Sequence, residues 1–337
     1  MIKQVFWVLT TLALTGLVLY SLNPSDSDAR AQFDAFKIQY KKSYGSQAEL
    51  EYRFAVFQET LARVNRVNAD SSKRFTLAIN KFADLKFSEF KAKYLNDMKK
   101  GANSEPMDSL DLTGLPSNVD WRSHEGSVGP VKNQEQCGSC WAFSTVASFE
   151  NAIWRNSSKS VSLSEQELVD CSNAQGNMGC NGGLMANAYD YIKLYELGTE
   201  KSYPYRAYDQ TCSQRNKRKA GRQEVTDYSV ISPANVKGLI AAASQGVVSV
   251  AIEVQDDFMS YYSGVYHNDA SCGDALDHGV AVVGYNTEDA DAYFIVRNSW
   301  GADWGDEGYI KMAIEANSSK SSGTCGIAND SDVYPTI

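Results

Sequence analysis

The stretch Gln134-Glu135-Gln136-Cys137-Gly138-Ser139-Cys140-Trp141-Ala142-Phe143-Ser144 decides how the rest of the chain is read. From Cys140 onward, Ala142, Val146, Phe149 and Ile153 recur at helical spacing, so a cysteine opens a helix directly behind a tight glycine-containing segment. The N-terminal end of a helix carries partial positive charge and unpaired N–H groups, and both favour a thiolate over a thiol. Cys140 is thus placed to be a nucleophile. A nucleophile needs a base and a group that orients the base. His278 in Leu276-Asp277-His278-Gly279 and Asn298 in Val296-Arg297-Asn298-Ser299-Trp300-Gly301 supply one of each, 138 residues downstream and a further 20 beyond that. Both sit on short β-rich runs.

The seven cysteines all follow residue 136, at Cys137, Cys140, Cys171, Cys180, Cys212, Cys272 and Cys325. In an oxidising compartment an odd number leaves one thiol unpaired or paired to another chain. No second CxxC pair recurs at finger-like spacing and the chain has only 3 histidines, so a structural zinc is not implied. Val5 to Leu22 is an almost uncharged apolar run behind Lys3; it fits a signal segment over residues 1–23 and is just long enough for an anchor, with no clean small-x-small cleavage site near Tyr20 to Asn23. Asn156, Asn317 and Asn329 each begin a glycosylation sequon.

At 337 residues with 43% hydrophobic and 22% charged residues, the composition is that of a globular protein with room for two or three cores. Charge is unevenly placed. Residues 23–114 carry 15 Lys+Arg against 13 Asp+Glu, whereas residues 115–337 carry 16 against 28. The field of that acidic body repels phosphates, which argues against a nucleic-acid partner.

Leu50, Phe54, Phe57, Leu61, Val64 and Val67 mark one face of a long amphipathic helix. Residues 96–114 lose that periodicity and read as an exposed linker. Ser164 with Glu167 is a capping-box pattern before another helix, and Arg215 to Arg222 reads as a solvated basic loop. Beyond about residue 225 the texture turns to strands: Val248, Val250, Ile252 and Val254 alternate, and His278 to Tyr285, Ala292 to Asn298 and Tyr309 to Ile314 are β-rich. The expected fold is α+β in two lobes with the site between them: a helical lobe over about 115–225 and a β lobe over about 226–337.

With these residues in place, the chain resembles the papain family of cysteine peptidases, closest to the cathepsin L branch, from about residue 30 to the C-terminus. The resemblance is carried by the Cys140, His278 and Asn298 segments, by Val119-Asp120-Trp121-Arg122, by Gly179-Cys180-Asn181-Gly182-Gly183 and by Trp304-Gly305. Glu49, Arg53, Phe57, Thr60, Val64 and Asn68 match the prodomain pattern called ERFNIN, with Thr and Val in place of one Asn and the Ile. Ala78, Asn80, Phe82 and Asp84 match a second prodomain motif in which Ala78 replaces a glycine, and Glu135 stands where glycine usually follows the oxyanion glutamine.

The resemblance implies a papain-like fold, with a helical lobe and a β-barrel-like lobe, behind a mainly helical inhibitory prodomain over residues 25–100. It also implies an activation linker over 101–114 and a peptidase domain over 115–337. It implies that His278 pairs with the Cys140 thiolate, that Asn298 orients the imidazole under the cover of Trp300, and that Gln134 and the Cys140 N–H stabilise the oxyanion. Substrate would be bound by Gly138, Gly182, Gly183, Leu184, Met185, Ala251, Leu276, Asp277, Gly279 and Trp300. Asp330, five residues after Cys325, would close the floor of the S2 pocket and admit basic as well as apolar P2 side chains. The family pairing of cysteines is Cys137 with Cys180, Cys171 with Cys212 and Cys272 with Cys325, each loop worth roughly 3 to 4 kcal/mol on the chain-entropy model; Cys140 is left over.

The function implied is a cysteine endopeptidase acting through a thioester, made as a latent proenzyme on the secretory route to a lysosome, an acidic vesicle or the cell exterior. No cofactor or metal is implied. Partners are protein and peptide substrates, the chain's own prodomain and cystatin-like inhibitors. Two rival readings share the sequence: a silent homologue that captures other proteases, and a peptide ligase with the same residues. Exopeptidase variants fit less well, because no histidine lies between His124 and His267 and no cysteine precedes residue 115.

Overall fold

The computed structural model of the chain describes residues 26–98, 113–213, 222–267, 272–314, 322–329 and 332–337. The signal segment, most of the 101–114 linker, residues 215–221 of the basic run, Asn317 and Asp330 lie outside them.

The leading part is built of helices α1 (Asp26–Gln39), α2 (Gln47–Ala69) and α3 (Phe87–Tyr94) and a short strand β1 (Phe75–Leu77). Helix α2 starts where Ser46 accepts a hydrogen bond from the Glu49 N–H at 3.2 Å, and the Glu49 carboxylate accepts one from Gly45 N–H at 2.9 Å. Its apolar stripe is the expected one. Phe54 and Phe57 pack on Phe33 and Phe36 of α1, with centroids 5.4 Å apart for Phe33–Phe54 and 5.2 Å for Phe36–Phe57, while Val64 and Val67 join the core of the β lobe. One helix face therefore bolts the leading part together and anchors it to the body; each buried aromatic is worth roughly 1.5–3 kcal/mol.

Strand β1 adds an edge to the sheet of the body by pairing antiparallel with β5 (Tyr261–Tyr266). Phe75 lies opposite Gly264, whose φ is +88° and where a Cβ would fall 2.3 Å from the Arg74 carbonyl oxygen, so only glycine permits the approach. Ala78 needs no such freedom: its φ is not positive, and its N–H donates to Ser260 O at 2.9 Å.

In the body, helix α4 (Cys140–Ser157) is buried on every side from Cys140 to Ile153 and stands between the lobes. On one side it packs with α5 (Glu165–Cys171) and α6 (Met185–Tyr195), around Trp141, Phe149, Leu168, Tyr189 and Ile192. On the other it meets β6 (His278–Asn286), where Ser144 Oγ donates to Val280 O at 2.7 Å. The sheet runs β1-β5-β8-β7-β6-β4-β9-β3, with β2 (Asn118–Asp120) on β6; the remaining strands are β3 (Asp227–Val230), β4 (Val248–Ile252), β7 (Tyr293–Arg297), β8 (Tyr309–Ala313) and β9 (Val333–Thr336). Pairing β5–β8 is parallel and the others are antiparallel. The ends of the body cross over: Val119 pairs with Tyr285 in the β lobe, and Val333 packs in the helical core.

Three local expectations are corrected. Strand β4 is buried at all five positions rather than on alternate ones, because its second face lies against α4, where Ser249 Oγ meets Ser148 Oγ at 2.7 Å. The capping box of α5 is half formed: Ser164 Oγ accepts from Glu167 N–H at 3.0 Å, but the Glu167 carboxylate turns to Tyr191 Oη at 2.9 Å and Gly198 N at 3.1 Å. Arg222 of the basic run is not solvated; its guanidinium also closes on Glu167, at 2.5 Å.

Candidate active site

Cys140 begins α4, His278 begins β6, Asn298 follows β7 and Gln134 lies in the loop before α4; all four are buried. The start of β6 presses on the start of α4, since a Cβ on Gly279 would lie 3.1 Å from Trp141 N and 3.2 Å from the Cys140 carbonyl. His278 Nε2 lies 2.8 Å from Asn298 Oδ1, which also accepts the Ser299 N–H at 2.8 Å. A backbone donor on that atom fixes it as the amide oxygen, so Nε2 carries the imidazole proton and Nδ1 holds the free lone pair. Nδ1 has no hydrogen-bond partner among the described residues. The Trp300 indole covers the pair at 4.7 Å from the imidazole centroid and 28° to its plane.

The leading part fills the cleft. Phe82 and Phe90 meet the Trp300 indole edge-on, at 5.7 and 5.0 Å between centroids. Gln134 Nε2 donates to Tyr94 O at 3.0 Å, Asn96 Nδ2 donates to Gly138 O at 2.6 Å and lies 4.0 Å from Cys140 Sγ, and Asn96 N–H and Met98 N–H donate to Asp277 O and Leu276 O at 2.9 and 3.0 Å. Met98 is buried in the apolar cluster that contains Met185 and Ala251, against which Leu184 and Leu276 pack. Gly182 and Gly183 make room: a Cβ on the first would lie 3.2 Å from Asn96, and on the second 2.7 Å from the Trp141 ring. Residues 96–98 are therefore not exposed linker, which corrects the sequence reading. An extended segment in a groove, with Asn96 and Met98 turned in and Asp97 exposed, has no helical period to detect.

In its N-to-C sense the segment runs from Tyr94 on the Gln134 amide, past Cys140 at Asn96, to Met98 in the cluster of Met185 and Ala251.

Charge follows occlusion. Burial pushes the Cys140 thiol up to about 11, although N–H contacts from Gly279, Asn96 and Trp141 oppose it, and burial lowers His278 to about 4, against the Asn298 hydrogen bond. The helix N-terminus alone led us to expect a thiolate; under the cover of Tyr94–Met98 desolvation wins, and thiol and imidazole are both neutral.

Several positioning residues were not legible in the sequence. Ser299 Oγ donates to Gln134 Oε1 at 2.7 Å and so turns the amide nitrogen toward the cleft, and Tyr205 Oη donates to Gln134 O at 2.7 Å. Glu135 has φ +52°, the left-handed region in which a non-glycine residue costs roughly 1–2 kcal/mol. Behind the site Lys132 Nζ bridges Glu150 at 3.1 Å and Glu165 at 2.7 Å. The cysteines pair as Cys137–Cys180, Cys171–Cys212 and Cys272–Cys325, and Cys140 is the free one among the described residues.

Between the leading part and the body every ion pair among the described residues has one polarity: Arg63 meets Asp256 and Asp257, Arg74 meets Asp291, Lys81 meets Asp303 and Lys91 meets Asp277.

The family model for papain family cysteine protease matches residues 115–336, and that for the cathepsin propeptide inhibitor domain matches residues 33–90. The chain is 39% identical to cathepsin L of Sarcophaga peregrina over 97% of this chain and 98% of the relative, and 39% identical to human cathepsin L2 over 93% and 94%. Among solved structures it is similar to digestive procathepsin L 3 of Tenebrio molitor larval midgut (TM-score 0.82, 34% identity, 92% and 99% covered) and to a recombinant stem bromelain precursor (TM-score 0.84, 33% identity, 92% and 99% covered). None of these favours the silent or ligase readings. With a catalytic body of the expected fold and a prodomain lying through its cleft, the chain belongs to the papain family of cysteine proteases and carries its cathepsin propeptide inhibitor domain in the same polypeptide.

Proposed function

We propose that Cys140 is the attacking atom and His278 its base in the hydrolysis of protein peptide bonds. Once residues 94–98 leave, His278 Nδ1 takes the thiol proton and the thiolate attacks the carbonyl carbon. Gln134 Nε2–H and the Cys140 N–H stabilise the oxyanion. Collapse breaks the C–N bond, imidazolium gives its proton to the leaving amine, and water, deprotonated by His278, then cleaves the thioester and restores the thiol. The observation that carries this reading is the use of the Gln134 amide by Tyr94 O: a prodomain carbonyl occupies the donor that an oxyanion would need. The test is to mature the protein in acid, titrate it with a thiol-directed epoxide and assay a P2-Leu peptide. Absence of both labelling and cleavage would overturn the reading.

The proposal extends to the whole chain. Residues 25–100 act as inhibitor, the 101–114 segment is cut during activation, and 115–337 is the peptidase. The apolar run at the start directs the protein into the secretory route, toward a lysosome, an acidic vesicle or the exterior, where cystatin-like inhibitors would occupy the same cleft. Met98 in the S2 pocket supports an apolar P2 preference. Asp330 is proposed for the pocket floor; Asp330→Ala should lower kcat/KM for P2 Arg relative to P2 Leu near pH 7, and an unchanged ratio would remove it from the pocket.

Acid release of the prodomain needs groups whose carboxylates are held more strongly in the closed form. Burial raises the Asp257 and Asp277 carboxyls despite Arg63 and Lys91, so neither is held as a carboxylate more strongly than a free one. Glu89 has the required sign for the prodomain's own fold: its partners Lys86 and Arg53 both lie in the prodomain, so acid acts here by loosening that fold rather than a contact with the body. Burial opposes it, yet the Lys86 N–H at 2.9 Å and Arg53 at 2.8 Å together lower its carboxyl. Its contribution is present above the ordinary carboxylate range and is lost as pH falls through the lowered value. We expect Glu89→Gln to mature at higher pH than wild type, followed by the gel shift of the product over a pH series; an unchanged series would exclude Glu89.

A further inference from the structure

Lys81 of the prodomain seats its ammonium on two acceptors of the body, the Trp300 carbonyl oxygen at 2.6 Å and Asp303 Oδ1 at 2.7 Å. Gly301 forms the floor of the niche, since a Cβ there would lie 3.2 Å from Lys81 Nζ and 2.8 Å from Asp303 Oδ1. Beside it a space of about 540 Å³ separates prodomain residues Gln39, Tyr40 and Ala78 from the body, whose side, exposed when the prodomain leaves, carries Asp303, Asp306 and Glu307 and no Lys or Arg among the described lining residues. A carbonyl and a carboxylate are both acceptors and cannot satisfy one another. When the prodomain leaves, both stay with the body and their cation departs.

The niche also adjoins the Tyr94 end of the cleft, since Lys81, Tyr94 and Asn133, the neighbour of Gln134, line one pocket. From the S2 pocket the prodomain passes Met98, Asn96 beside Cys140 and Tyr94 on Gln134, and Lys81 then meets the carbonyl of Trp300, whose indole covers His278. The niche is thus beyond the oxyanion donor from S2, on the side where the leaving amine and its chain extend. We infer that it is a subsite of the mature enzyme for a Lys or Arg side chain on the leaving-group side of a protein substrate. The inference rests on the peptidase reading above. Asp303 and the Trp300 carbonyl take the cation directly; Asp306 and Glu307 add to the field that draws it in.

The experiment uses matured enzyme and quenched peptides that are identical except for Lys or Gln at each of the first three positions after the scissile bond. At one position Lys should raise kcat/KM about three- to five-fold over Gln, as a partly exposed ion pair allows. That ratio should fall toward one in Asp303→Asn and, in wild type, in 1 M salt, where screening acts over about 3 Å. The salt series decides the matter if the variant does not fold. Cleavage with a ratio of one at all three positions, or a Lys preference that Asp303→Asn and salt both leave intact, would overturn the subsite and make the niche a prodomain dock alone. If no peptide is cleaved at all, the peptidase reading itself fails and the subsite with it.

Discussion

Cys140→Ser should lower peptidase activity by roughly 10⁴- to 10⁶-fold, end labelling by a thiol-directed epoxide and stop self-processing. A serine hydroxyl is far less acidic than a thiol, and a neutral imidazole such as His278 cannot hold its alkoxide. The side chain is fully buried and the change is nearly isosteric, so the melting temperature should stay close to wild type. Kinetics and thermal unfolding on one preparation check both parts. Activity within tenfold of wild type in a folded variant would remove Cys140 from the chemistry.

Lys132→Met should produce the largest loss of stability. Its ammonium bonds Glu150 at 3.1 Å, Glu165 at 2.7 Å and Leu163 O at 3.1 Å, and the two carboxylates are 5% and 1% exposed. Removing the cation that ion-pairs both buried carboxyls leaves Glu150 with the Leu163 N–H at 2.9 Å and Glu165 without its ion partner, and should cost roughly 3–5 kcal/mol near neutral pH. The effect should shrink in acid. Burial, opposed by Lys132, pushes Glu165 up to about 7 against an ordinary 4.5, so its contribution is fully present below about 4.5 and is lost as pH rises through 7. Melting curves of Cys140→Ser carrying Lys132→Met or Glu165→Gln, taken from pH 4 to 8, separate the two: the first should be destabilised most at high pH, and the second should lose most of the wild-type decline between 4.5 and 7. A Lys132→Met protein as stable as its parent would show that the carboxyls find other partners.

Legibility in the sequence followed distance and regularity. The α2 stripe from Phe54 to Val67 was readable because its period is local, and Cys140 at a helix start was readable because glycine, serine and the apolar spacing sit within a few residues. The Lys132, Glu150 and Glu165 cluster was not, because its members come from a loop and two helices that meet only in the packed body. Ser299 was quoted within its motif, yet its bond to Gln134 spans 165 residues. Glu167 followed the local capping rule until Arg222 and Tyr191 offered a stronger partner set. The thiolate expected at Cys140 rested on the helix end alone, and the segment that desolvates it, Tyr94 to Met98, carries no periodic signal. Net charge cannot tell a buried aspartate such as Asp277, raised by desolvation, from a lowered glutamate such as Glu89.

We propose that one short segment, Tyr94 to Met98, keeps Cys140 and His278 neutral and covered, and that its removal lets them ionise as a pair. The most direct measurement is the rate of Cys140 alkylation by iodoacetamide against pH, before and after prodomain removal. In the proenzyme the rate should be low and climb only in the alkaline range, as a thiol near 11 requires. In the matured enzyme it should be at least 10²-fold faster at pH 6 and nearly flat from there to pH 8, as a thiolate held by imidazolium requires. Superimposable profiles before and after removal would contradict the account.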